Sequence, residues 1–221
     1  MRLRAARAGS MALVIGGAAA AAAVGLAGRS WYLRWGASRE ECARVLPGDE
    51  LMPQADLVAT RAITVRVPRE QLWPWIVQMG QGRGGLYSYD GLENLVGCQM
   101  HSADSVMPEW QDVAPGDAFR LHPDVALEVA AVEPDRALVI RGGVPMGDAA
   151  PPYDFTWAFV LGDVGPTPGS PGDATRLLVR ERYGYLRRWA PLLVEPVEAV
   201  SFVMSRKMLR GIKERAEGSR R

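Results

Sequence analysis

Residues Val67–Asp90, VPREQLWPWIVQMGQGRGGLYSYD, constrain this 221-residue chain more than any other stretch. Pro68 ends the strand-like run Thr60–Val67, in which Ile63, Val65 and Val67 alternate with Thr64 and Arg66 as a half-buried strand requires. Arg69–Met79 is helical in composition, and Pro74 must kink that helix or divide it in two. Gly80, Gly82 and Gly85 then permit a tight loop. A compatible fold needs a strand that passes at once into a short aromatic helix and then crosses a cavity mouth.

Strand signals follow at Asp117–His122, Val125–Val132, Ala137–Arg141, Phe155–Leu161 and Thr175–Tyr185. Pro115-Gly116-Asp117, Glu133-Pro134-Asp135 and the Gly/Pro-rich Gly162–Asp173 separate them, and such short connections favour an antiparallel meander. Pro196 fits the first turn of a closing helix that runs to about Glu217. Val197, Val200, Met204, Met208 and Ile212 form one stripe at helical spacing, so the helix should lie on the concave face of the sheet. Upstream, Ser38 and Glu41 have the spacing of a capping box, Pro47-Gly48 ends the short helix it starts, and Pro47–Gln54 reads as linker.

Ala8–Gly28 carries no charge over 21 residues, roughly 30 Å as a helix. Arg2, Arg4 and Arg7 precede it; Trp31, Tyr32 and Trp35 follow, as at a membrane interface. The run reads as a single-pass anchor in a bacterial cell membrane. A signal peptide cleaved after small residues is the alternative, and arginines on both sides leave orientation open. The organisation expected is a basic N terminus (1–10), the anchor (11–28), an interfacial segment and linker (29–57) and one domain (58–217).

With 26 basic and 25 acidic residues, nothing argues for a nucleic-acid surface. Cys42 and Cys98 are too few and too far apart for a zinc site. They read as buried free thiols, one disulfide being the alternative in an oxidising compartment.

The strand, kinked helix, antiparallel strands and long C-terminal helix come in the order of the helix-grip fold of the START-like (SRPBCC) superfamily. Val67-Pro68-Arg69-Glu70-Gln71-Leu72-Trp73 resembles the motif that opens such domains. Trp73–Asp90 is similar to a bacterial subgroup in which WPWLVQMG, a Gly/Arg loop and YSYD occur together. Ser102-Ala103-Asp104, the Pro115-Gly116-Asp117 turn, Trp157–Leu161 and Phe202–Glu217 extend the resemblance over about Pro47–Glu217. It implies an α+β fold: a curved antiparallel sheet grips the C-terminal helix, with a pocket between them for lipids, polyketides or other apolar molecules.

Gly80-x-Gly82-x-x-Gly85 matches the dinucleotide-binding pattern formally, but a helix precedes it where a strand is needed, so no nucleotide site is expected. Tyr87, Tyr89 and Asp90 could set a phenol or carboxylate against a ligand carbonyl; the plainer reading has the tyrosines packing as lids and Asp90 capping a helix at Gly91–Val96. Glu181 shares a strand face with Leu177, Val179 and Tyr183 and could face the cavity, whereas a bulge would turn Arg180 or Arg182 inward instead. Arg83 could meet a ligand carboxylate, although a solvated loop arginine is commoner. His101 and His122 have no metal spacing, and no cofactor is implied.

Trp73, Trp75, Tyr87, Trp157, Phe159, Tyr183, Val200, Met204 and Met208 are the candidate ligand contacts. The expected function is binding or carriage of a hydrophobic small molecule or lipid close to a membrane. The alternatives are a polyketide cyclase or dehydratase using Tyr87, Tyr89, Asp90 or Glu181, and a structural or stress module with a filled cavity.

Overall fold

Turn chemistry between the apolar runs produces a meander, and the first strand joins its far edge. The computed structural model describes residues 28–144, 150–164 and 174–218. Strands β1 (Leu57–Val65), β2 (Ala118–His122), β3 (Val125–Glu133), β4 (Ala137–Gly142), β5 (Tyr153–Asp163) and β6 (Thr175–Tyr185) form one sheet in the order β1-β6-β5-β4-β3-β2. Every neighbouring pair is antiparallel. The helices are α1 (Arg39–Ala43), α2 (Arg69–Val77), α3 (Asp90–Leu95) and the 29-residue α4 (Ala190–Gly218). The result is the α+β sheet with a long C-terminal helix that the sequence predicts.

Period-two alternation divides the sheet into two faces. Leu57, Ala59, Arg61, Ile63 and Val65 of β1 share the inner face with Leu177, Val179, Glu181 and Tyr183 of β6 and with Phe155, Trp157, Phe159 and Leu161 of β5. Together with α2, the loop at Tyr87 and the C-terminal half of α4, most of these build the main core.

Of the two outcomes expected at Pro74, division does not occur: α2 is one helix with Pro74 inside it, and Leu72, Trp75, Ile76 and Val77 bury both halves. The closing helix departs from expectation. α4 starts at Ala190, six residues before Pro196, which lies inside it. Its buried stripe is Ala190, Val194, Glu198, Phe202, Ser205, Leu209, Ile212 and Ala216. Val197 and Val200 are instead 50% and 63% exposed. The expected stripe therefore holds only from Met208 onward. Upstream the helix turns a carboxylate, not a valine, toward the sheet, because a buried arginine waits there.

The outer face of the sheet is covered by residues 37–56. Arg180, Arg182 and Arg176, at alternating positions of β6, grip this segment. Arg180 donates to the carbonyls of Glu41 (2.9 Å), Cys42 (3.0 Å) and Arg44 (2.8 Å), which α1 leaves unpaired at its C-terminal end, and to Asp49 (2.5 Å). Arg182 reaches Asp49 and the carbonyl of Met52; Arg176 reaches Glu41. Pro47–Gln54, read from sequence as linker, thus packs on the sheet and contains the 3₁₀ turn Asp49–Leu51. The capping box at Ser38 and Glu41 forms as expected. Cys42 and Cys98 are free and partly exposed rather than buried.

The uncharged run read as an anchor lies, but for Gly28, outside the described residues. Among the described residues no helix is long and apolar enough to cross a membrane. Trp31, Tyr32 and Trp35, which follow that run, gather around Phe202 of α4 at ring separations of 5.2, 6.0 and 6.5 Å.

Candidate functional site

Between the inner face of β5–β6 and the N-terminal half of α4 lies a cavity of about 200 Å³. Leu121, Val144, Tyr153, Phe155, Trp157, Tyr183 and Val197 line it with apolar surface; Glu181 and Ser201 supply polar groups. Register explains the convergence. Trp157 pairs with Glu181 and Phe155 with Tyr183, so four of these side chains emerge side by side from adjacent strands. Tyr183, Phe155 and Trp157 are also in ring contact along this wall, at 4.8 and 6.3 Å.

The floor rests on a buried ionic cluster that ties the sheet to α4. The Arg61 guanidinium donates through Nη1 to Glu181 Oε1 (2.9 Å), through Nη2 to Glu198 Oε1, and through Nε to the carbonyl of Tyr32 (3.2 Å). Arg61, Glu181 and Glu198 are all 2% exposed or less. Glu181 also accepts from Ser205 (2.9 Å) at Oε1, and from Ser201 (3.1 Å) and Tyr183 (3.4 Å) at Oε2. Four donors therefore occupy its four acceptor positions.

Two carboxylates on one buried guanidinium would leave a net negative charge, and burial disfavours that. Burial and the neighbouring Glu181 push the Glu198 carboxyl up to about 8, against the opposing pull of Arg61. At neutral pH the cluster is accordingly Arg⁺, one carboxylate and one carboxylic acid, with no net charge. Burial, followed by the charge of Glu181, also drives the Tyr183 phenol well above its usual range, so it stays protonated and can donate.

The Trp157 indole Nε1 is buried and has no hydrogen-bond partner among the described residues. A buried N–H in that state is uncommon.

The sequence candidates divide between this cavity and the packed core. Trp157, Tyr183 and Glu181 line the cavity, and of the two orientations left open for β6 the inward Glu181 is the one adopted. Phe159 and Met208 lie in the core, Met204 is half-buried, and Val200 points outward. Trp73 packs half-buried against the core. Trp75 and Tyr87 are 1% exposed and meet edge to face at 5.9 Å.

Of the candidate acid–base groups after the glycine loop, Tyr87 and Asp90 have local partners. The Tyr87 hydroxyl accepts from Gln78 Nε2 (2.8 Å), and burial pushes its pKa up to about 12. Asp90 is the first residue of α3 rather than its cap, and accepts from the backbone N–H (2.7 Å) and hydroxyl (2.6 Å) of Ser102. Tyr89 is 41% exposed. Arg83 is half-buried rather than solvated and donates to the carbonyls of Val77 and Trp110. The glycine loop itself packs on β2 and on His101–Ser102. At Gly85, φ is +71° and a Cβ would come 2.7 Å from the His101 carbonyl oxygen. Among the described residues no group of His, Cys, Asp or Glu could hold a metal ion.

Sequence reading missed Arg61 and Glu198. The signal for Arg61 was its even spacing from Ile63 and Val65, which places it on their face. For Glu198 it was its place four residues after Val194 and four before Phe202.

No family model and no curated protein matches the chain. Solved structures with a related chain path include a hypothetical protein of Helicobacter pylori (14% identity, TM-score 0.46, covering 78% of this chain and 95% of that one). A conserved protein of Geobacillus kaustophilus is 11% identical (TM-score 0.45; 74% and 97% covered), and a protein of Chromobacterium violaceum 10% (TM-score 0.42; 75% and 99%). At such distances these likenesses carry no argument about function.

Proposed function

We propose that this protein is a START-like domain that binds a small, neutral, largely apolar molecule carrying one hydrogen-bond acceptor, in the cavity between β5–β6 and α4. The observation that carries the reading is a mostly apolar cavity above a charge-balanced floor; Trp157, one of its lining residues, has a buried and unpartnered Nε1, which is the donor proposed to meet the acceptor. Size narrows the class. An apolar cavity of about 150 Å³ takes benzene, so 200 Å³ suits a substituted ring or short chain of roughly ten heavy atoms. A whole lipid would leave most of its length outside. Charge narrows it further, because Arg61 is already neutralised by Glu181 and a charged ligand would be desolvated with no partner.

Native mass spectrometry of the purified full-length chain, followed by organic extraction, tests this. The expected result is a neutral molecule of that size held by the wild type and lost from Val197→Trp, which fills the mouth. A wild type that is empty and also fails to take up acetophenone would refute it.

A second reading, acid–base catalysis, draws on the Tyr183–Glu181 hydrogen bond inside the cavity. It ranks lower because Glu181 has no acceptor position left for a substrate proton. Tyr183→Phe separates the two: binding should change by about threefold or less, whereas turnover by the pair would disappear.

A further inference from the structure

A second pocket, on another part of α4, has the opposite character. Tyr89, Phe202, Val203, Arg206, Lys207 and Arg210 enclose about 80 Å³. A single water needs about 10–15 Å³, so there is room for a tetrahedral oxyanion.

Its charge is unbalanced. Arg61, Arg176, Arg180 and Arg182 each meet a carboxylate. Among the described residues, the three cations of this pocket make one ion pair, Lys207 with the largely exposed Glu214 at 3.9 Å. Three like charges on adjacent turns repel one another. The Arg206 and Arg210 guanidiniums are nonetheless held in place, 5.5 and 5.8 Å from the Trp35 ring centroid. Arg206 Nε is buried with no hydrogen-bond partner. Two positioned guanidinium forks beside a lysine form the arrangement that recognises phosphate.

We propose that Arg206, Lys207 and Arg210 form a binding site for a phosphate-type anion, independent of the apolar cavity. The anion's source is either a free phosphate or a phospholipid headgroup. Val203, 48% exposed on the rim, gives apolar surface against which an acyl chain could lie.

The test is isothermal titration of the full-length chain in detergent micelles, at constant ionic strength set with chloride. The probes are inorganic phosphate and dihexanoylphosphatidic acid. Saturable binding of either, weakened at least tenfold in Arg206→Gln/Arg210→Gln, is the expected result. A lipid affinity tenfold or more above that of phosphate identifies a headgroup site; equal affinities identify a free anion. Matching melting curves in chloride alone would confirm that the double variant is folded. A wild type that binds neither probe, or a double variant that binds as well as the wild type, overturns the proposal.

Discussion

Glu198→Gln isolates the proton held in the buried cluster. The free glutamate value is 4.5, and in the folded protein Glu198 titrates near 8. Between those limits the folded state keeps a proton that the unfolded chain has lost. Stability therefore falls as pH rises through the window and levels off above it. The slope is about 1.4 kcal/mol per pH unit, which accumulates to something on the order of 4–5 kcal/mol. Glutamine imitates the protonated acid, accepting from Arg61 through its oxygen, and it does not titrate. Wild type and variant should melt within a few degrees of each other at pH 5. By pH 8.5 the variant should be higher by roughly 10 °C or more. Other titrating groups act equally on both proteins and cancel in the difference. Thermal unfolding by near-ultraviolet circular dichroism from pH 5 to 9 is the assay. Parallel profiles across that range would show that Glu198 is ionised when folded and would refute the charge balance assigned to the site.

Glu93 is buried beside Asp90, and its carboxyl is raised to about 7, mainly by burial. Glu93→Gln should accordingly raise the melting temperature at pH 8 but not at pH 4.5, as differential scanning fluorimetry would show. Gly211 lets α4 pass so close to the glycine loop that a Cβ would lie 2.2 Å from the Tyr87 carbonyl oxygen. Gly211→Ala should cost about 1–3 kcal/mol in urea unfolding despite alanine's better helix propensity. Arg180→Met leaves Asp49 and the end of α1 without their buried partner. The loss should be about 3–5 kcal/mol, with faster limited proteolysis within residues 37–56.

The strands were legible because most of their alternation survives: β6 falls at Thr175–Tyr185 in sequence and structure alike, the others differ by a few residues at their ends, and register shifts interrupt only β2 and β3. The connections between successive strands explain the order from β2 to β6, whereas the pairing of β1 with β6 is a long-range contact that no turn announces. The site was harder to read because its chemistry rests on residues that break the hydrophobic pattern. Arg61 interrupts the apolar face of β1, and Glu198 occupies a buried position of α4 that a periodicity count assigns to Val197 or Val200. Each is tolerated only because the other is opposite, and that is a fact about tertiary pairing. The conspicuous WPWIVQMG and YSYD segment fits the plainer of its two readings, packing. Its aromatic and polar residues satisfy local partners, Tyr87 with Gln78 and Asp90 with Ser102, and so serve the packing beneath the sheet.

The central claim is that the Trp157 indole meets a ligand acceptor inside the cavity. The most direct measurement is a ¹⁵N-indole spectrum of the full-length protein during titration with acetophenone, the Trp157 resonance being assigned from Trp157→Phe. A saturable downfield shift of that one indole proton is expected, as a carbonyl accepts from Nε1. An unmoved Trp157 resonance at saturating ligand, or a response confined to other tryptophans, would contradict it.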